Sequence, residues 1–348
     1  MSAVLILNLP YIINKNLNQV LALKNYHFLF ITKEKKIQDN QCPENCEQKP
    51  IKNPLARLFF CFFFLLKNRR KIHHVEIYPG GKLTIIFLIL VKSFGCKNVI
   101  IERGDIHYAG IKSDKLPFFG KYDTFTCISI KLSYRFASSI WYKERAFLNY
   151  DLNRYNSNLY YLPNAIDIED INIEDLNRDI VFLWLNRLHK ERYSKWFIDA
   201  LKKMDAKSYL VGLLGNKFNL EEEYVVKNKP DCLTLFKFKD PREYYIKAKF
   251  FVFPAKVVFG NHALFEAMSY GCVPIVTDAQ DIKKLILDGV NGFICEFNPE
   301  SFYLTLKKAL EMTNEVYNQM SKNARKTVVD HFSLANLREK KLDLYQSL

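Results

Sequence analysis

Between residues 250 and 298 apolar runs, a helical pattern and tight turns follow one another with almost no padding, which leaves few folds open to the chain. Residues 250–253 (FFVF) form a short apolar run stopped by Pro254, the pattern of a strand buried on both faces. Residues 262–270 then place Ala263, Leu264, Ala267 and Met268 at helical spacing, with Asn261 as N-cap and Gly271 as the C-terminal stop. A second apolar run, 273–276, leads through Thr277-Asp278 into a further helix expected to end near Asp288-Gly289. Strand, helix and strand in that order make a parallel sheet, which binds ligands beyond the carboxyl ends of its strands. Glu266 falls in the first turns of the helix, where free N–H groups attract anions, so a carboxylate there needs a reason.

The series Phe265-Glu266-Ala267-Met268, Gly271, Pro274, Thr277-Asp278 and Asp288-Gly289-Val290-Asn291-Gly292 supplies one. It resembles, in order and without a gap, the donor-binding motif of the retaining family 4 (group 1) nucleotide-sugar glycosyltransferases. That resemblance implies an α/β chain of the GT-B class, two Rossmann-like domains with parallel sheets facing across a cleft. It gives Glu266 the ribose of the nucleotide. The motif's first glutamate falls at Val258, for which Asn261 or His262 are the nearby polar substitutes, and its glycine pair is Gln280-Asp281 here. Ala263 and Leu264 open the helix that faces the donor.

Length and charge agree with two domains and an anionic partner. At 348 residues two domains are the natural expectation, and 49% hydrophobic residues suffice for two cores. Lys and Arg number 51 against 37 Asp and Glu, a net charge of +14 that suits nucleotide phosphates, nucleic acid or an acidic membrane surface, and equally a compositional bias. No recognisable DNA- or RNA-binding motif supports the nucleic-acid reading. The eight cysteines are scattered, several inside predicted elements, as in a reducing compartment; Cys42 and Cys46 are the one close pair and lack further ligands for zinc. Residues 1–9 lack the basic start of a signal peptide.

In chain order, residues 3–9, a helix near 16–24 and residues 28–32 read as strand, helix, strand, but Leu9-Pro10-Tyr11 is no phosphate-binding glycine turn. A loop is expected over 33–53. Residues 55–66 (LARLFFCFFFLL) precede Lys67, Arg69, Arg70 and Lys71; the run is too short to span a bilayer and reads either as a core helix or as an interfacial helix on anionic lipid. A strand over 74–78, a helix over 83–91 and a strand over 99–101 lead to Glu102-Arg103-Gly104-Asp105-Ile106-His107. The family ends this strand on a His facing the donor sugar, a place for which His107, Asp105 and Glu102 are candidates. Residues 124–129 are expected as a strand and 131–139 as the start of a helix. Leu162-Pro163-Asn164-Ala165-Ile166-Asp167 resembles the close of the family's first domain, giving domains 1–165 and 166–330 and a final helix, 331–348, crossing back.

In the second domain, Arg187 matches the family's diphosphate-binding Arg, and Arg192 stands where its Lys would be. Two cations there neutralise charge building on a leaving diphosphate. Gly212 and Gly215 loosely match the family's Gly-x-Gly turn, and Phe238 ends the expected strand 233–238, where the family holds the nucleotide base through backbone groups. The resemblance therefore implies transfer of a sugar, with retention, from a nucleotide-diphosphate sugar to a saccharide or lipid-linked saccharide, without metal or resident cofactor. It implies a cytoplasmic location with peripheral contact at the inner membrane face. The alternative is a nucleotide-binding but inert partner of another transferase.

Overall fold

The computed structural model describes residues 2–10, 12, 20, 23–35, 42–111, 121–213, 219–237, 240–256, 258, 261–279 and 282–348. They divide into two compact units, residues 1–165 with 334–348, and residues 166–333. Phe238, Gly215, Gln280, Asp281 and most of the helix expected near 16–24 lie outside the described residues.

Unit 1 is built on a seven-stranded parallel sheet in the order β3-β2-β1-β4-β5-β6-β7. The strands are β1 Ser2–Leu9, β2 Tyr26–Thr32, β3 Cys46–Pro50, β4 Ile72–Ile77, β5 Asn98–Glu102, β6 Ser139–Tyr142 and β7 Leu159–Tyr161. Among the described residues three helices cross between successive strands: α1 Pro54–Asn68, α2 Thr84–Ser93 and α3 Thr124–Phe136. Two expectations are corrected here. The segment 33–53 is not all loop, because Cys46–Pro50 pairs with β2 at the sheet edge; an edge strand needs no buried side chains, so its polar sequence hid it. Residues 124–136 form one helix rather than a strand and a helix start: Asp123 caps it through Thr126, and the buried Thr126, Cys127, Ile130, Ser133 and Tyr134 recur every three or four residues.

Unit 2 carries a six-stranded parallel sheet, β10-β9-β8-β11-β12-β13. Its strands are β8 Ile180–Leu185, β9 Ser208–Leu213, β10 Leu233–Lys237, β11 Ala248–Phe253, β12 Val273–Thr277 and β13 Phe293–Cys295. The helices are α4 Ser194–Leu201, α5 Leu220–Lys227, α6 Arg242–Lys247, α7 His262–Ser269, α8 Pro299–Leu310 and α9 Asn314–Phe332. Apolar clusters cover both faces of the sheet, α7 and α9 with one and α4 and α8 with the other. The helix expected after Thr277-Asp278 is instead a single 3-10 turn, Ile282–Lys284, followed by a loop. The buried Asn291 side chain holds that loop, accepting from Leu287 N–H at 2.7 Å and donating to Leu285 O at 3.1 Å and Thr327 Oγ1 at 2.9 Å. Side-chain bonds to backbone here take the place of a helical ladder.

Past α9 the chain enters unit 1 again as α10, Leu334–Ser347. Lys341 and Tyr345 of this helix reach the buried Glu76 of β4, at 3.2 and 2.8 Å. Burial alone would raise the Glu76 pKa, but the Lys341 ammonium, the nearby His74 ring and the bond from Tyr345 hold it far below the usual carboxylate range.

Candidate functional site

In unit 2 the candidate residues gather at the carboxyl ends of β8, β9 and β11. β8 runs out at Asn186, whose carbonyl lies where a Cβ on Gly212 would stand, 1.9 Å away. Gly212 has φ +154°, so glycine is needed at this close approach of two backbones. Arg187 follows and is exposed. A 3-10 turn, Lys190–Arg192, comes next, capped by the His189 side chain and closed by Tyr193 in the left-handed region at φ +48°. The turn swings Arg192 back, so that its guanidinium lies over the ring of Phe253 at the end of β11, 4.9 Å from the centroid. Burial and then the charge of Arg187 pull the Arg192 pKa down to about 10, partly offset by Glu191. A largely buried guanidinium that feels a second cation is an arrangement an anion would stabilise.

The second half of the site is α7. Asn261 caps it by accepting from Leu264 N–H at 3.3 Å; His262 and Ala263 are half-buried, and Leu264 is wholly in the core. Glu266, also half-buried, accepts from the Tyr245 hydroxyl at 3.1 Å. Burial, then the Glu266 charge, keep that phenol far above its ordinary pKa, so it serves as a fixed donor. Tyr245 packs on Phe251 and Phe251 on Phe253, with centroids 6.4 and 6.3 Å apart, so a line of rings joins the carboxylate to the platform under Arg192. The N-terminus of α7 and Arg192 thus lie at the same end of the same sheet face. Val258 is only 8% exposed and packs in the apolar cluster with Ala255 and Leu264, so this position fills the core and presents no polar group. Thr277 pins the loop after β11, accepting from Ala255 N–H at 3.0 Å and donating to Ala255 O at 2.6 Å.

Thr277 belongs to the motif, but nothing in the sequence marks Tyr245 or Phe253 as a site residue. Their roles arise from contacts between residues far apart in the chain, and Tyr245 sits 21 positions from Glu266.

In unit 1 the residues after β5 turn inward. Glu102 is fully buried and accepts from the Tyr134 hydroxyl and from the N–H groups of Gly104 (2.5 Å) and Ile106 (3.3 Å). Burial, then the charge of Asp105, push its pKa up to about 7 against those bonds. Asp105 accepts from the Tyr122 hydroxyl at 3.1 Å; burial raises it and Arg103 opposes the rise. His107 is 4% exposed, bonded through Nδ1 to the Tyr150 hydroxyl and set edge-on against Phe147; burial pushes its pKa down to about 4. It is neutral at pH 7. Among the described residues no group of three or more His, Cys, Asp and Glu side chains is placed to hold a metal, and no helix is long and apolar enough to cross a membrane.

Residues 167–327 match the family model described as glycosyl transferases group 1. A curated relative from Escherichia coli, UDP-Gal:alpha-D-GlcNAc-diphosphoundecaprenol alpha-1,3-galactosyltransferase, is 28% identical over 209 residues, 53% of this chain and 53% of that protein. The chain spans little more than half the length of the curated relatives it matches. Among solved structures, a glycosyltransferase from Rickettsia africae ESF-5 superposes with a TM-score of 0.79 at 13% identity, over 99% of this chain and 98% of that one. Anabaena HepE, solved with UDP, does so at 0.76 and 15% identity over the whole of both chains. These likenesses establish the GT-B fold: two α/β units, each on a parallel sheet.

Proposed function

We propose that this chain, which carries a glycosyl transferases group 1 match over residues 167–327, is a glycosyltransferase that takes a sugar from a nucleotide-diphosphate donor. The observation that carries the reading is the pair Arg187 and Arg192 following β8, Arg192 set over Phe253 and its pKa lowered by burial and then by Arg187. A diphosphate satisfies both cations at once, and the first N–H groups of α7 add to its hold. Glu266, steadied by Tyr245, accepts hydrogen bonds from the ribose hydroxyls. In the transfer the bond between the anomeric carbon and the diphosphate oxygen breaks, and the acceptor hydroxyl oxygen forms the new bond. The proton of that hydroxyl leaves with the diphosphate, whose negative charge the two arginines stabilise more strongly as it grows. Retention of configuration is part of the proposal and rests on the motif around Glu266.

The Escherichia coli relative's name gives UDP-galactose as donor and a diphosphoundecaprenol-linked sugar as acceptor. UDP-sugars and lipid-linked saccharides are therefore the first substrates to try. Val258 in the core supports a second reading, a nucleotide-binding protein that transfers nothing. Thermal shift with UDP, GDP and ADP, together with a nucleotide-release assay on a panel of nucleotide sugars, separates the two. Arg187 is exposed, so Arg187→Ala is expected to leave the unliganded Tm unchanged and to lower kcat/KM by about 100-fold or more. Unchanged turnover in that variant would remove Arg187 from the site. Nucleotide binding without release from any donor would favour the second reading.

A further inference from the structure

The outer surface of α1, α2 and α3 in unit 1 is apolar where a water-facing helix layer is ordinarily polar. On α1, Leu55, Phe59, Phe62, Phe63 and Leu66 form one stripe, Phe59 at 64% and Phe63 at 61% exposed, while Arg57, Cys61 and Leu65 make the buried stripe. On α2, Ile86 and Ile89 point outward, the latter 61% exposed. On α3, Phe125, Ile128, Leu132 and Phe136 repeat the pattern. The three stripes are neighbours. The Phe62 ring meets Phe94, just past α2, at 5.4 Å; Ile85 N–H donates to Ser129 Oγ at 3.1 Å; Lys92 Nζ donates to the Phe136 carbonyl at 2.8 Å. A contiguous exposed patch of this kind marks an interaction surface.

Charge says what it meets. None of the three helices contains an Asp or Glu. Asp123, which caps α3, is matched by Lys82 at 3.6 Å. Because each helix leads into the amino end of the next parallel strand, their C-termini share one edge of the layer, and cations cluster there: Lys67 in α1 with Arg69, Arg70 and Lys71 just after it, Lys92 in α2 and Arg135 in α3. A protein partner would need a mixed rim, whereas a one-signed rim beside bulky aromatic side chains fits a surface that is oily inside and anionic at its boundary.

We propose that this three-helix face docks on an anionic phospholipid bilayer, with Phe59, Phe63, Ile89 and Phe125 entering the acyl boundary and the cationic edge engaging lipid phosphates. The sequence shows the α1 part of this surface; α2 and α3, which widen a single stripe into a face, are joined to it only by the fold. The proposal is independent of sugar transfer, since it needs no substrate.

Flotation of the full chain with phosphatidylcholine vesicles, with and without phosphatidylglycerol, tests it. Binding is expected to the anionic vesicles and to fall steeply with salt. Phe59→Ser with Phe63→Ser should lower the partition coefficient about tenfold or more without changing circular dichroism or Tm, since both rings are exposed. Arg69→Ala, Arg70→Ala and Lys71→Ala together should abolish the preference for phosphatidylglycerol. A chain that stays in the soluble fraction with both vesicle types overturns the proposal, as does equal binding to both. Sedimentation showing a dimer that the two phenylalanine substitutions dissociate, without vesicle binding, would assign the face to a second copy instead.

Discussion

Glu102 and His107 are five positions apart and their environments push them in opposite directions. Burial, then Asp105, raise Glu102 to about 7, while burial lowers His107 to about 4. A group that holds its proton more tightly in the fold stabilises below its unfolded pKa and loses that contribution as pH rises through the folded one. For Glu102 the loss runs from 4.5 to about 7. His107, bound less tightly to its proton in the fold, stabilises above 6.5 and loses that as pH falls toward about 4. The two slopes oppose each other where the windows overlap. Glu102→Gln removes the falling one, so the Tm of the variant relative to the parent should climb as pH rises from about 4.5 to 7. Calorimetry at a series of pH values checks this, and parallel curves for the two proteins would show that Glu102 does not titrate in the fold.

At the scale of elements, the site depends on how β8 and β9 end. The Asn186 carbonyl occupies the place of a Gly212 side chain, so Gly212→Ala forces two backbones apart in a sheet packed on both faces. A cost of about 3 kcal/mol or more is expected in urea unfolding, with loss of nucleotide binding as Arg187 shifts; a change under about 1 kcal/mol would mean that the strand ends relax freely. The central strands were legible in the sequence because a strand buried on both faces reads as one apolar run, as in IVFLWL over Ile180–Leu185. The edge strand Cys46–Pro50 was not, because half its surroundings are water. The Asn261 cap was legible because capping is local. The Tyr245 hydroxyl on Glu266, and the ring beneath Arg192, became visible only once β11 and α7 were folded beside each other.

At the scale of the molecule, the chain passes from unit 1 to unit 2 at Ala165 and back at Ser333, and Ile166 pairs with Ser333 where it does so. What α10 brings to unit 1 is chemical as well as apolar: Lys341, 2% exposed, neutralises Glu76, 1% exposed. Lys341→Met strands a buried carboxylate and should cost about 3–5 kcal/mol in the unfolding of unit 1, whereas adding Glu76→Gln should restore most of it. Recovery absent from the double variant would show that the lysine acts by packing. Residues 334–347 follow all of unit 2 in the chain, so on a ribosome the segment carrying Glu76 emerges well before its counter-ion. Unit 1 is thus completed late, and residues 1–165 produced alone would carry Glu76 without Lys341.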